Sequence, residues 1–244
     1  DFTAKPDRKY EYTFYPIKGK PTNLKRSSRA IPITVRTEPL YSDLEHDIFF
    51  NRGVASSQAY RREFGNQKPD KMDPVKRARA LQWLSRDLDD AMLKFIGNAK
   101  KNDTLLGCFY EFRYAPAADA LKKALTRGVK VRLIVDGKVN EHTDSDGFHE
   151  SFPRIDNIDT LTTAGFPESA SKLREGRRTG IQHNKFMVLL KGAGEKPTEV
   201  WTGSTNLSVG GITGQTNVGH WIRNATIADR FRAYWEVLEA DPGG

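Results

Sequence analysis

Ile181-Gln182-His183-Asn184-Lys185-Phe186-Met187-Val188-Leu189-Leu190, followed after a polar loop by Val200-Trp201-Thr202-Gly203-Ser204-Thr205-Asn206, is the stretch on which the fold turns. Side chains of a strand alternate between faces, so His183 and Lys185, two residues apart, are expected to project together. The apolar run from Phe186 to Leu190 carries the strand into a core. The loop from Lys191 to Glu199 turns it, and Val200 to Thr202 reads as the returning strand. That return brings Gly203, Ser204 and Asn206 back beside His183. An imidazole, an ammonium, a hydroxyl and an amide, with a glycine that permits close approach, make a receptor for a phosphoryl group.

The chemistry of the set centres on His183. An imidazole titrates near neutrality, so it can attack phosphorus to form a phosphohistidine or protonate a leaving oxygen. Lys185, Ser204 and Asn206 would neutralise and hydrogen-bond the nonbridging oxygens as charge develops there. This arrangement requires no metal, and none is assigned.

His183-x-Lys185 followed by Gly203-Ser204-x-Asn206 resembles the half-motif of the phospholipase D superfamily, and the segment from about Leu81 to Asp136 has the layout of one repeat of that fold. The resemblance implies an α/β fold, a mixed sheet flanked by helices, over residues 74–244. It implies a metal-independent phosphodiesterase, a phospholipase or a nuclease, working through a phosphohistidine. Two positions depart from the pattern. Leu190 stands where the family places an Asp that is usually structural, and Asn217 falls where it often has an acidic residue orienting the catalytic His. An amide oxygen at Asn217 would fix the His183 tautomer but stabilise an imidazolium less than a carboxylate does. Such sites use two His-Lys half-motifs, and this chain carries one. The second is expected from a missing C-terminal region or from a homodimer partner. The rival reading is a catalytically weak or inactive half-domain that binds phosphate or nucleic acid.

Working outward, Asp73 and Pro74 carry N-cap and N1 chemistry, and Leu81, Leu84, Leu88, Met92, Phe95 and Ala99 predict one amphipathic helix to near Lys100. Asp87, Asp89 and Asp90 fall on its polar face. Thr104 to Phe109 and Val129 to Val135 read as buried strands around a helix from Ala117 to Thr126, an order that implies a crossover and a parallel pair. Glu111, Arg113 and Asp136 fall at strand ends, where functional residues often lie, although capping suits Asp136 better. Asn140 to Gly176 is long, polar and poorly periodic, and reads as a lid or specificity loop. His142, His149, Asp144 and Asp146 have metal-ligand chemistry, but the expectation there is loop. Asp229 to Leu238 predicts a terminal helix with Phe231, Tyr234, Trp235 and Leu238 inward, and His220 reads as a structural histidine.

Upstream, Tyr10, Tyr12 and Phe14, then Ile31, Ile33 and Val35, predict two pairing strands in a β-rich segment over 1–40. It is either a hairpin or the remnant of a β-sandwich. Residues 41–73 are expected to connect, with a helix from Ala55 to Phe64; Asn51 and Arg52 read as docking residues and Gly65 to Pro74 as a loop.

The 244 residues carry a formal charge of +8, which favours an anionic partner, nucleic acid or phospholipid headgroup. Basic residues cluster at Lys25, Arg26 and Arg29, at Arg61 and Arg62, and from Lys172 to Arg178. The single cysteine, Cys108, excludes an internal disulfide framework and reads as a core thiol. No apolar stretch approaches the ~18 residues of a membrane span. The first residues, Asp1-Phe2-Thr3, carry neither an initiator Met nor a signal peptide. A fragment or processed form is therefore expected, with the compartment, cytoplasmic or secreted, left open.

Overall fold

The computed structural model describes residues 4–42, 44–55, 57–175 and 181–240. In chain order the elements are β1 (Lys9–Phe14), β2 (Ile17–Lys20), β3 (Asn23–Arg26), β4 (Ile31–Arg36), β5 (His46–Phe50), α1 (Gln58–Phe64), α2 (Pro74–Ser85) and α3 (Leu88–Gly97). There follow β6 (Thr104–Phe109), α4 (Ala115–Thr126), β7 (Lys130–Asp136), β8 (His142–Asp144), β9 (Gly147–His149), α5 (Arg154–Thr163) and β10 (Ser171–Arg174). The last are β11 (Lys185–Lys191), β12 (Lys196–Gly203), β13 (Val218–Ile222) and α6 (Ala225–Ala240).

Two compact units divide the chain, residues 1–43 and 44–244. In the first, β1 pairs antiparallel with β4, Tyr10 opposite Val35 and Tyr12 opposite Ile33, while β2 and β3 form a second two-stranded ribbon. A forked ion pair from Arg36 to Asp7, 2.6 Å at its closer nitrogen, fastens the end of the β1–β4 pair.

The second unit is built on a seven-stranded mixed sheet in the order β10-β7-β6-β11-β12-β13-β5. β6 and β7 are parallel across the α4 crossover, as the strand-helix-strand spacing predicts, and β11 runs antiparallel to β6. That polarity puts the start of β11 at the carboxyl edge of β6 and β7. Strand alternation then sorts the core. Leu106, Cys108, Phe186, Val188, Leu190, Val200 and Ile222 face α6 and its Ala228, Trp235 and Leu238. On the other face Phe95 of α3 meets the rings of Trp221 and Trp201 at 5.5 and 6.3 Å. Apolar side chains on both faces explain why these strands read as continuous hydrophobic runs.

Several expectations meet a different structure. The segment 41–73 does more than connect. His46 to Phe50 alternates exposed and buried and adds β5 to the sheet edge, tied by the ion pair from Arg223 to the buried Asp47 at 2.6 Å. The helix predicted from Pro74 to Lys100 is two helices, broken at Arg86, whose φ of 54° lies outside the helical range. Within the polar stretch after Asn140 the chain forms the β8–β9 hairpin, α5 and the edge strand β10, whose pairing with β7 short periodicity does not reveal. Tyr234 is half exposed, not inward. Arg177 and Arg178 of the basic run, Ser56, and the ends at 1–3 and 241–244 lie outside the described residues. No helix among the described residues is long and apolar enough to cross a membrane.

Candidate active site

Lys185 opens β11, and its partner across the ladder is Phe109, the last residue of β6. His183 precedes the strand, so the expected alternation begins only at Lys185; pairing nonetheless reaches outward, because the Tyr110 N–H donates to the Asn184 carbonyl at 2.9 Å. The Lys185 ammonium is buried and donates to the His183 carbonyl at 2.8 Å. Burial lowers its pKa to about 8, Glu111 opposing. The His183 ring is exposed and lies edge-on to Tyr110, with centroids 4.9 Å apart. Partial burial and then the Lys185 charge push its pKa below the ordinary imidazole value, again against Glu111.

Glu111, two residues beyond β6, is the group that links the two halves of the motif. Its carboxylate is buried, accepts from Asn206 Nδ2 at 2.7 Å and from Arg113 Nε at 3.0 Å, and acts electrostatically on both His183 and Lys185. Asn206 Oδ1 is buried with no hydrogen-bond partner among the described residues. Such an atom costs about 1–3 kcal/mol, which a ligand donor would recover.

Gly203 ends β12 at φ +148°, where a Cβ would sit 2.1 Å from the Val218 carbonyl oxygen. Only glycine fits that approach. The tight crossing lets the Ser204 N–H donate to the same carbonyl at 3.0 Å, while Ser204 Oγ accepts from Val218 N–H and donates to Asn217 Oδ1 at 2.8 Å. Asn217 Nδ2 donates to the Gly211 carbonyl at 2.8 Å. The amide expected to orient His183 is thus engaged with Ser204 and Gly211, and no hydrogen bond joins it to His183 among the described residues. Leu190 packs in the core under α6, away from these groups.

Three further residues hold the site in place. Buried Asn157 of α5 accepts from the Phe112 N–H at 2.7 Å and donates to the Tyr110 and Asp136 carbonyls, each at 2.9 Å. Asp136 in turn accepts from the Gln182 N–H at 3.0 Å, which fixes the residue before His183, and from the Lys138 N–H, a turn-capping bond. Asn51 donates to the Ile212 and Gln215 carbonyls and accepts from the Asn217 N–H, each at 2.7 Å. It holds the loop after Asn206 in place, as the docking reading expects. Arg52 donates to the Trp83 carbonyl and lies over its ring, likewise a docking residue. His220 contacts His46 at 3.1 Å on the β13–β5 edge. Cys108 is a buried thiol.

The family model described as "Cardiolipin synthase, PLD-like domain" matches residues 92–238, more than half of the chain and all of the site residues except the supporting Asn51 and Arg52. The chain belongs to the phospholipase D-like family. Membership supports a phosphodiester-acting enzyme class. Among solved structures the chain is similar to a phospholipase D family member, Nuc from Salmonella typhimurium, at 23% identity over 63% of this chain and 87% of that one, with a TM-score of 0.46. It is also similar to NucT from Helicobacter pylori at 20% identity over 64% and 90%, TM-score 0.48. A third is phosphatidylserine synthase from Haemophilus influenzae at 14% over 62% and 34%, TM-score 0.46. No curated protein matches this phospholipase D-like chain.

Proposed function

We propose that the chain is a half-site of a metal-independent phosphodiesterase, acting on nucleic acid or phospholipid through a phosphohistidine at His183. The reading is carried by an exposed imidazole beside a buried ammonium, both in the field of a carboxylate that also holds Asn206. In the proposed reaction the neutral imidazole attacks phosphorus and the bond to the leaving oxygen breaks. Lys185 and Asn206 take the developing charge on the nonbridging oxygens, and Ser204 joins them if its hydroxyl turns from Asn217. A natural alkoxide needs a proton as it departs. We assign that proton to a second half-site, from another copy of the chain or from further sequence. The net charge favours nucleic acid over lipid as substrate.

The retained receptor without turnover is the second reading, favoured by the engagement of Asn217 away from His183. Hydrolysis of bis(p-nitrophenyl) phosphate in EDTA separates the two, because p-nitrophenolate leaves as a stable anion without an acid. We expect release of at least one p-nitrophenolate per chain. No release, with phosphate still bound, would favour the binding half-domain.

The pH profile follows from the shifted groups. His183 must be neutral to attack, so the acid limb of kcat/KM should fall below the ordinary imidazole value. Lys185 must be protonated to hold the phosphate, so activity is full below its pKa and declines as pH rises through about 8. Because Glu111 raises the pKa of Lys185, Glu111→Gln should move the alkaline limb to lower pH. An alkaline limb at the ordinary lysine value in both proteins would remove Lys185 from the mechanism.

A further inference from the structure

Beyond the phosphodiester site, three side chains converge on the β8–β9 hairpin. His142 and His149 are direct cross-strand partners, and Asp144 lies two residues along from His142, so alternation puts all three on one face. The two imidazoles stack with centroids 4.7 Å apart and planes within 13°. One ligand atom from each of the three residues lies within 4.8 Å of the other two. Asp144 Oδ1 sits 2.9 Å from His149 Nε2, a hydrogen bond whose proton an incoming ion would displace to solvent, and Oδ2 is 3.9 Å from His142 Nε2. A tetrahedral ion with bonds of about 2.0–2.2 Å separates its ligand atoms by about 3.3 Å, which falls inside this range.

A second observation points to a ligand. His142 Nδ1 faces the Asn140 carbonyl at 3.2 Å, and a carbonyl only accepts, so Nδ1 carries the proton and Nε2 of the neutral ring presents its lone pair. This is the backbone bond that orients metal-bound histidines. Asn140 is itself fastened, by its N–H to Ser151 Oγ at 2.9 Å and its Nδ2 to the Phe152 carbonyl at 3.0 Å. The other histidine pair, His46 and His220, has no third converging ligand among the described residues: Glu45 approaches His46 from its other nitrogen, at 3.7 Å.

We infer that His142, Asp144 and His149 form a binding site for a divalent transition-metal ion of the zinc class, with one coordination position left for water or another oxygen donor. Two imidazoles and a carboxylate suit Zn2+ and Co2+ better than Mg2+ or Ca2+, which prefer all-oxygen sites. The hairpin follows the carboxyl end of β7, and Phe152 at its base meets the Tyr110 ring, which in turn meets His183. A bound ion would stiffen the rim of the phosphodiester site without entering its chemistry.

The test uses the chain stripped with EDTA and returned to chelator-free buffer. Calorimetric titration with ZnCl2 should give one ion per chain, and CoCl2 should give the visible d–d band of four-coordinate Co2+. His142→Ala, Asp144→Asn and His149→Ala should each weaken binding at least about tenfold, while His46→Ala leaves it unchanged. These ligands are exposed or half-buried on a hairpin, so the melting temperature of the stripped variants serves as the folding control. Failure to bind either ion, or binding lost in His46→Ala or His183→Ala but kept in the hairpin variants, would overturn the assignment. The nitrophenolate assay runs in EDTA, so the metal site and the phosphodiesterase reading stand or fall separately.

Discussion

Alanine at position 183 is expected to lower kcat for bis(p-nitrophenyl) phosphate by about 10³-fold or more, while the melting temperature stays within about 2 °C. The separation follows from how His183 is held. Its ring makes one aromatic contact, to Tyr110, and no side-chain hydrogen bond among the described residues, so removing it leaves no buried group unpaired. Its carbonyl, which receives the Lys185 proton, belongs to the backbone and survives the substitution. Lys185, Ser204 and Asn206 therefore remain as a phosphate receptor, and KM should change far less than kcat. Equal losses in affinity and rate would mean that His183 binds substrate and does not react.

The largest effect on stability is expected from Asn157→Ala. The Asn157 side chain makes three hydrogen bonds at the carboxyl edge of the sheet, to Phe112, Tyr110 and Asp136, and is fully buried. Alanine would remove one hydrogen-bond partner from the Phe112 N–H and from each of the two carbonyls, and each such loss costs about 1–3 kcal/mol. A total of about 3 kcal/mol lowers the melting point of a domain this size by roughly 6–12 °C. Asn157→Asp should not rescue it, because a carboxylate oxygen would face two carbonyl oxygens with no proton between them. Activity should fall too, since Tyr110 packs on His183 and Asp136 holds Gln182. Thermal melts of the two variants check this, and an unchanged melting temperature in Asn157→Ala would contradict the role.

The parts of this protein that were legible from sequence are those whose signal is local. The apolar runs at Thr104, Val129 and Phe186 become β6, β7 and β11 because most of their residues are buried on both faces, with Arg132 of β7 a half-buried polar exception. Gly203 is recognisable because the strand return needs a residue without Cβ. What sequence obscured is long-range pairing. β5 and β10 are short edge strands whose membership depends on distant partners, and the histidines of the β8–β9 hairpin meet only once the turn at Ser145 and Asp146 closes. Arg86 interrupts an apolar stripe that reads unbroken, because a single residue at positive φ leaves periodicity nearly intact. Asn157 carried one usable signal, a polar residue one turn before Leu161 on the inward face of α5. Glu111 was visible as a strand-end acid, but its bond to Asn206, 95 residues away, was not.

The most direct test of the phosphohistidine reading is intact-protein and peptide mass spectrometry after mixing the chain with bis(p-nitrophenyl) phosphate in EDTA, quenched at alkaline pH where phosphoramidates survive. Attack by His183 expels one p-nitrophenolate and leaves a p-nitrophenyl phosphoryl group on the imidazole. The adduct should map to the peptide carrying His183, appear with the first p-nitrophenolate released, and be absent from His183→Ala. Release of p-nitrophenolate at an unchanged rate in His183→Ala, or without any adduct at His183, would contradict covalent catalysis at this residue.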